Sequence, residues 1–274
     1  MTVKDQYIQY KETNGLKTSR FEDRVRLQKF ILDRLPLVWA ENPRFTNGGL
    51  FRNHMTGYAM GFAYYDCQPS RFCRTRCYGL PIGGVADYYM FRLAVITSES
   101  LKTGDSRYLI PLYKKLKTLA VLKIGHWGDA TLEQVPVLVQ VVRDHPQVTF
   151  WWYTRKQNVA LAVNQLNLPN LRVYLSLDPT TPYPSKAEYP FGLTYLFGDQ
   201  HYHPNHATIL NDDRLVAVFP LKKGTRIEDP WVSGIMDHPK LCIEKSRYSE
   251  SRVRGENTCF DCRGRCNFNP VVSK

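Results

Sequence analysis

Leu119-Ala-Val-Leu-Lys-Ile124, Val148-Thr-Phe-Trp-Trp-Tyr153 and Leu171-Arg-Val-Tyr-Leu-Ser-Leu177 are three apolar runs of strand length. Between them lie two segments with helical spacing. Thr131-Leu-Glu-Gln134 matches a capping box and opens an apolar-periodic stretch through Val142, with Pro136 near its start. Gln157 to Leu166 is the second. Strand, helix, strand, helix, strand at this spacing predicts right-handed crossovers and a parallel sheet. Leu193 to Phe197 and Leu215 to Phe219 extend the pattern. The fold class that fits is an α/β protein built on a partial or complete parallel βα barrel.

Working outward, Gly57 to Tyr65 reads as a strand leading into Cys67, and Val85–Leu101 and Arg107–Lys117 read as helices. Upstream, Phe21, Val25, Leu27, Ile31 and Leu35 line one face of a helix over Arg20–Leu37. From Asp229 the strand pattern fades. These shifts divide the chain into an N-terminal helical extension over 1–50, a core over 51–228 and a cysteine-rich cap over 229–274. The polar start and the lack of a bilayer-length apolar run point to a cytoplasmic protein with no membrane partner. A formal net charge of +12 suits a polyanionic partner, such as a nucleic acid or a nucleotide substrate.

All seven cysteines fall into two groups. Cys67, Cys73 and Cys77 share one short segment; Cys242, Cys259, Cys262 and Cys266 follow a C-x16-C-x2-C-x3-C pattern. Four thiolates saturate a tetrahedral ion or a cubane cluster, whereas three leave one position open for chemistry. The first group therefore reads as a reactive centre and the second as a closed one. For the second group, zinc and a further 4Fe–4S cluster fit the spacing equally.

In parallel α/β folds the ligand site lies at the C-terminal ends of the strands. That rule gathers Cys67, the Gly125–Asp129 turn, Thr154, Arg155 and Asp178 at one mouth. Each also has a plain structural reading: the glycine turn as a turn, Asp129 as a helix cap, and Arg155 and Asp178 as ordinary loop residues. His201, His203 and His206 are metal-ligating by type and loop-forming by context. Phe150 to Tyr153 reads as buried strand, with base stacking as the other use of such aromatics. Arg71, Arg74 and Arg76 either bind a substrate anion or balance the charge of a thiolate-ligated cluster.

The set Cys67-x5-Cys73-x3-Cys77-Tyr78, Ile124-Gly-His-Trp-Gly-Asp129, Pro146 to Arg155 and the closing cysteine tail resembles the phage gene product 88 family. That family is similar in arrangement to radical S-adenosylmethionine (AdoMet) enzymes. The resemblance implies a 4Fe–4S cluster on Cys67, Cys73 and Cys77, with AdoMet on the fourth iron. Gly125, Gly128, Asp129 and Tyr78 would then bind the cofactor, Gly128-Asp129 standing where those enzymes carry a Gly-Gly-Glu turn. Asp178 and Arg155 would be the catalytic candidates. Such an enzyme implies a flavodoxin- or ferredoxin-like electron donor and a nucleotide, nucleic-acid or peptide substrate. The cysteine spacing departs from the usual C-x3-C-x2-C, and Arg76 stands where an aromatic is usual. Two rival expectations are a zinc-bound nucleic-acid-binding module, and an open cluster acting as Lewis acid or electron carrier.

Overall fold

A computed structural model describes residues 1–41, 47–53, 57–77, 86–197 and 202–220. Seven strands form one sheet in chain order: β1 (Phe51–Asn53), β2 (Gly57–Met60), β3 (Val121–Ile124), β4 (Thr149–Thr154), β5 (Leu171–Leu177), β6 (Leu193–Phe197) and β7 (Leu215–Pro220). β1 runs antiparallel to β2, and every later pair is parallel. The sheet is open among the described residues, with β1 and β7 at its edges, so the complete barrel is not what the described chain forms. The protein is thus a mixed α/β fold with a seven-stranded, mostly parallel sheet. The proposed cysteine-rich cap lies outside the described residues.

Three helices precede the sheet: α1 (Val3–Thr13), α2 (Phe21–Leu32) and α3 (Leu35–Glu41). Helix α1 is polar and carries only a narrow buried face at Val3 and Tyr7, which is why apolar periodicity misses it. A capping box between Thr2 and Asp5 starts it instead. The single helix expected over Arg20–Leu37 is broken at Asp33–Arg34. Pro36, which lacks an N–H, falls in the first turn of α3, where that loss is harmless. The buried side chains of these helices join those of the sheet in one hydrophobic cluster running from Val3 to Val218.

The strand expected over Gly57–Tyr65 stops at Met60, and a 3₁₀ turn over Tyr64–Asp66 leads into Cys67. Next come α4 (Arg71–Arg76), α5 (Ala86–Thr103) and α6 (Ser106–Leu116). The crossovers are completed by α7 (Val135–Arg143), α8 (Gln157–Asn164) and α9 (His206–Leu210). Only half the expected capping box forms at Thr131. The Gln134 side chain accepts from the Thr131 N–H at 2.8 Å, but the helix begins at Val135 with Pro136 in its first turn.

Alternation gives the sheet two unlike faces. Leu122, Ile124, Phe150, Trp152, Val173, Leu175 and Leu177 are buried and join the helix cluster. Lys123, Trp151, Tyr153, Arg172, Tyr174 and Ser176 occupy the other face. The aromatic run therefore splits: Phe150 and Trp152 are core, while Trp151 and Tyr153 are half-buried on the opposite side.

A three-thiol cleft at the C-terminal ends of the strands

The segments after β2, β3, β4 and β5 meet at one end of the sheet. They form a cleft lined by Cys67, Cys73, Cys77, Trp127, Gly128, Asp129, Tyr153, Arg155 and Ser176, with Phe21 of α2 and Tyr64 at its wall. The structure thus brings together the three front cysteines, Gly128, Asp129 and Arg155. Asp178 stands behind Arg155, and Gly125 lies behind the turn against β4, its position for a Cβ 3.1 Å from the Tyr153 carbonyl oxygen. Tyr78 and the four C-terminal cysteines lie outside the described residues.

The turn after β3 is fixed by backbone. His126 N–H donates to the Met60 carbonyl and Phe62 N–H to the Trp127 carbonyl, each at 2.8 Å. Gly128 has φ +70, and a Cβ there would lie 2.0 Å from the Phe62 carbonyl oxygen. No other residue fits this position. Asp129, the residue that follows, is buried. It accepts from Thr154 Oγ1 at 2.7 Å and from Arg155 N–H at 2.9 Å. Burial raises its pKa despite those hydrogen bonds and the cations Lys156 and Arg155. The hydrogen bonds place Asp129 as a brace between the β3 and β4 ends, not as a helix cap.

Helix α4 carries Cys73, and Ser70 caps it, the Ser70 hydroxyl accepting from Cys73 N–H at 3.0 Å. The same hydroxyl donates to Asp178. Thr180 does a parallel job, accepting from Phe72 N–H at 3.0 Å and donating to Asp178 Oδ1 at 3.1 Å. Arg155 pairs with the other Asp178 oxygen, and Thr180 N–H donates at 2.9 Å. Burial pushes the Asp178 carboxyl up, but Arg155 and these donors outweigh it and hold the pKa below the ordinary carboxylate value. With 0% of its surface exposed and four donors upon it, Asp178 positions Arg155 and α4. Ser70 and Thr180 went unnoticed in the sequence, although a serine three residues before Cys73 is an N-cap signal.

Cys67, Cys73 and Cys77 form no disulfide. Burial, then the negative charges of Asp129 and Cys77, push the Cys67 thiol well above its usual pKa, with Lys156 opposing. For Cys73 a hydrogen bond to Cys77 and then burial act the same way, with Arg155 opposing. Lys156 is a buried cation absent from the sequence-derived site; its ammonium donates to the Asp66 carbonyl oxygen, immediately before Cys67. Among the described residues, no three His, Cys, Asp or Glu side chains close tightly enough to clasp a single metal ion.

The histidine segment is structural where it is described. His203 Nδ1 accepts from Asn205 N–H at 2.9 Å, so its Nε2 carries the proton donated to the Thr181 carbonyl at 2.8 Å. His206 Nδ1 meets the Tyr195 hydroxyl at 3.0 Å, and burial lowers its pKa. His201 lies outside the described residues. Arg74 pairs with Glu22 at 3.6 Å on the surface, and Arg71 is exposed; neither lines the cleft.

Fold and site together define a mixed α/β protein with a thiol-lined cleft at the C-terminal mouth of a largely parallel sheet. The chain matches the family "Gene product 88" over residues 40–266 and belongs to that family. It is similar to the Gene 88 protein of Mycobacterium phage L5, at 48% identity over 89 residues. That stretch covers 32% of this chain and 33% of the relative, so the chain spans about a third of the protein it matches. No solved structure matches the chain.

Proposed function

We propose that the cleft holds a 4Fe–4S cluster on Cys67, Cys73 and Cys77, with one iron left open for AdoMet, in a radical-AdoMet-like enzyme. The observation that carries this reading is the convergence of three cysteines, none in a disulfide, on one cleft beside Gly128, Asp129 and Arg155. The strand order, sequential from β2 to β7, supports a partial βα barrel around it. When bound, the cluster and AdoMet would supply a one-electron reductive cleavage of the sulfonium S–C5′ bond, releasing methionine and a 5′-deoxyadenosyl radical.

The donor set fits such a group. Burial and the neighbouring negative charges disfavour bare thiolates at Cys67 and Cys73, and a metal centre would remove that penalty by taking their charge. Lys156 and Arg155 offset the charge that remains. Asp129 keeps spare lone pairs on both oxygens after accepting from Thr154 and Arg155, and these suit an ammonium group. Phe21, Tyr64 and Trp127 supply apolar wall that limits water. Electrons would come from a flavodoxin- or ferredoxin-like donor.

The test is anaerobic purification of the full chain with iron, sulfide and zinc analysis, beside the Cys73→Ala variant. EPR of the reduced protein with and without AdoMet completes it. About four irons lost in the variant, and a spectrum that changes with AdoMet in the parent, support the reading. Zinc without sulfide, or a variant that keeps its iron, sinks it.

A further inference from the structure

Parallel pairing sets Lys123, Trp151 and Arg172 side by side across β3, β4 and β5, on the face turned away from the helix cluster. Two residues further along the strands stand Tyr153 and Tyr174, their rings stacked with centroids 5.8 Å apart at 29°. Lys123 Nζ lies 5.7 Å from the centre of the Tyr153 ring. Tyr174 is seated tightly against Gly192, where a Cβ would come within 2.8 Å of its ring, so it backs Tyr153 firmly. Another two residues on is Ser176, which with Tyr153 lines the thiol cleft. A cationic row, an aromatic row and the cleft therefore follow one another at steps of about 6.6 Å, twice the rise of a strand residue. No carboxylate occurs in the β3 to β6 positions of this face.

We propose that this track seats a single-stranded nucleic acid. One base packs on Tyr153, backbone phosphates meet Lys123 and Arg172, and the next nucleotide enters the cleft. Half-buried aromatics beside cations are the means by which proteins hold unpaired strands, since every base has a stacking face and every linkage a charge. A duplex keeps its bases stacked on one another and cannot offer that face. The chain's excess of 37 basic over 25 acidic residues adds the long-range attraction. As the choice of substrate class, this inference rests on the cleft being the reaction site.

Binding is measured by fluorescence anisotropy of a labelled mixed-sequence DNA single strand on the full chain across a salt series, with iron assayed on the same samples. A double Lys123→Gln/Arg172→Gln variant should flatten the log–log salt slope by about 1.4, because each phosphate contact to a single strand contributes about 0.7. Tyr153→Leu should weaken binding about tenfold at fixed salt and leave the slope alone. Lys186→Gln, on an exposed loop, should change neither. Ultraviolet crosslinking of the parent protein to the strand should map to Tyr153 or Trp151, and it decides the matter should a variant fold poorly. An unchanged slope in the double variant, crosslinks elsewhere, or equal preference for duplex or mononucleotide would overturn the proposal. Iron-free protein that still binds the strand removes the cluster and leaves the track; iron-loaded protein that does not bind does the reverse.

Discussion

The Ser70 hydroxyl donates to the Asp178 carboxylate across 108 residues of chain, and through it the cap of the cysteine-bearing helix is tied to the end of β5. Thr180 makes the second strap. The thiol loop is thus held from the end of the sheet as well as by its own helix cap.

Removing this tie should be costly. Asp178→Asn leaves the mostly buried Arg155 guanidinium without its countercharge and should lower unfolding free energy by about 3 kcal/mol in urea denaturation. Ser70→Ala loses a helix cap and should cost about 1 kcal/mol. Because the two share one hydrogen bond, the double variant should cost less than their sum. Additive losses would show that the tie carries no coupling.

Acid should undo the same contact. Asp178 has a folded pKa below its unfolded value, so its stabilisation is complete above the unfolded pKa, near 3.8, and disappears as pH falls through the folded one. The stability gap between the parent and Asp178→Asn should therefore be constant from pH 7 to about 5 and shrink below about pH 4. A gap that widens on acidification contradicts this assignment.

Two glycines separate conformation from contact. Gly15 and Gly128 both have positive φ, +59 and +70, but a Cβ at Gly15 would meet nothing while one at Gly128 would strike the Phe62 carbonyl. Gly15→Ala should cost about 1 kcal/mol, the ordinary price of a left-handed residue. Gly128→Ala should cost at least about 3 kcal/mol or prevent folding, read by thermal melting. Equal losses at the two sites would refute the close approach.

His203 is the last case. Its two ring nitrogens are engaged by Asn205 and Thr181, so His203→Ala should leave metal content unchanged while lowering Tm by several degrees. Loss of metal without loss of Tm would make it a ligand after all.

The strands from β3 to β7 were legible because each is a short, mainly apolar run of strand length, spaced by segments long enough for a crossover. Helix α4 was not. Arg71-Phe-Cys-Arg-Thr-Arg76 has no apolar repeat, and what fixes it comes from Asp178 and Thr180, far away in the chain. The glycine turn was visible as punctuation, yet its reason, the Phe62 carbonyl pressed against Gly128, is a contact between the segments that follow β2 and β3, which spacing does not encode. Asp178 was marked by its place after a strand, which revealed its address without its role. Lys156 escaped notice because nothing local marks a lysine whose partner is the carbonyl of Asp66, 90 residues earlier. Single-residue alternation likewise hid that half of Phe150 to Tyr153 faces away from the core.

The order of strands across the sheet is their order along the chain. A polypeptide leaving the ribosome N-terminus first can lay each new parallel strand on a neighbour already in place, so no half-built sheet has to hold a gap open for a later arrival. The cysteine segment is the exception. It is synthesised early, and the residues that strap it, Thr180 and Asp178, follow about a hundred residues later, so the loop gains this anchorage only after β5 has been made.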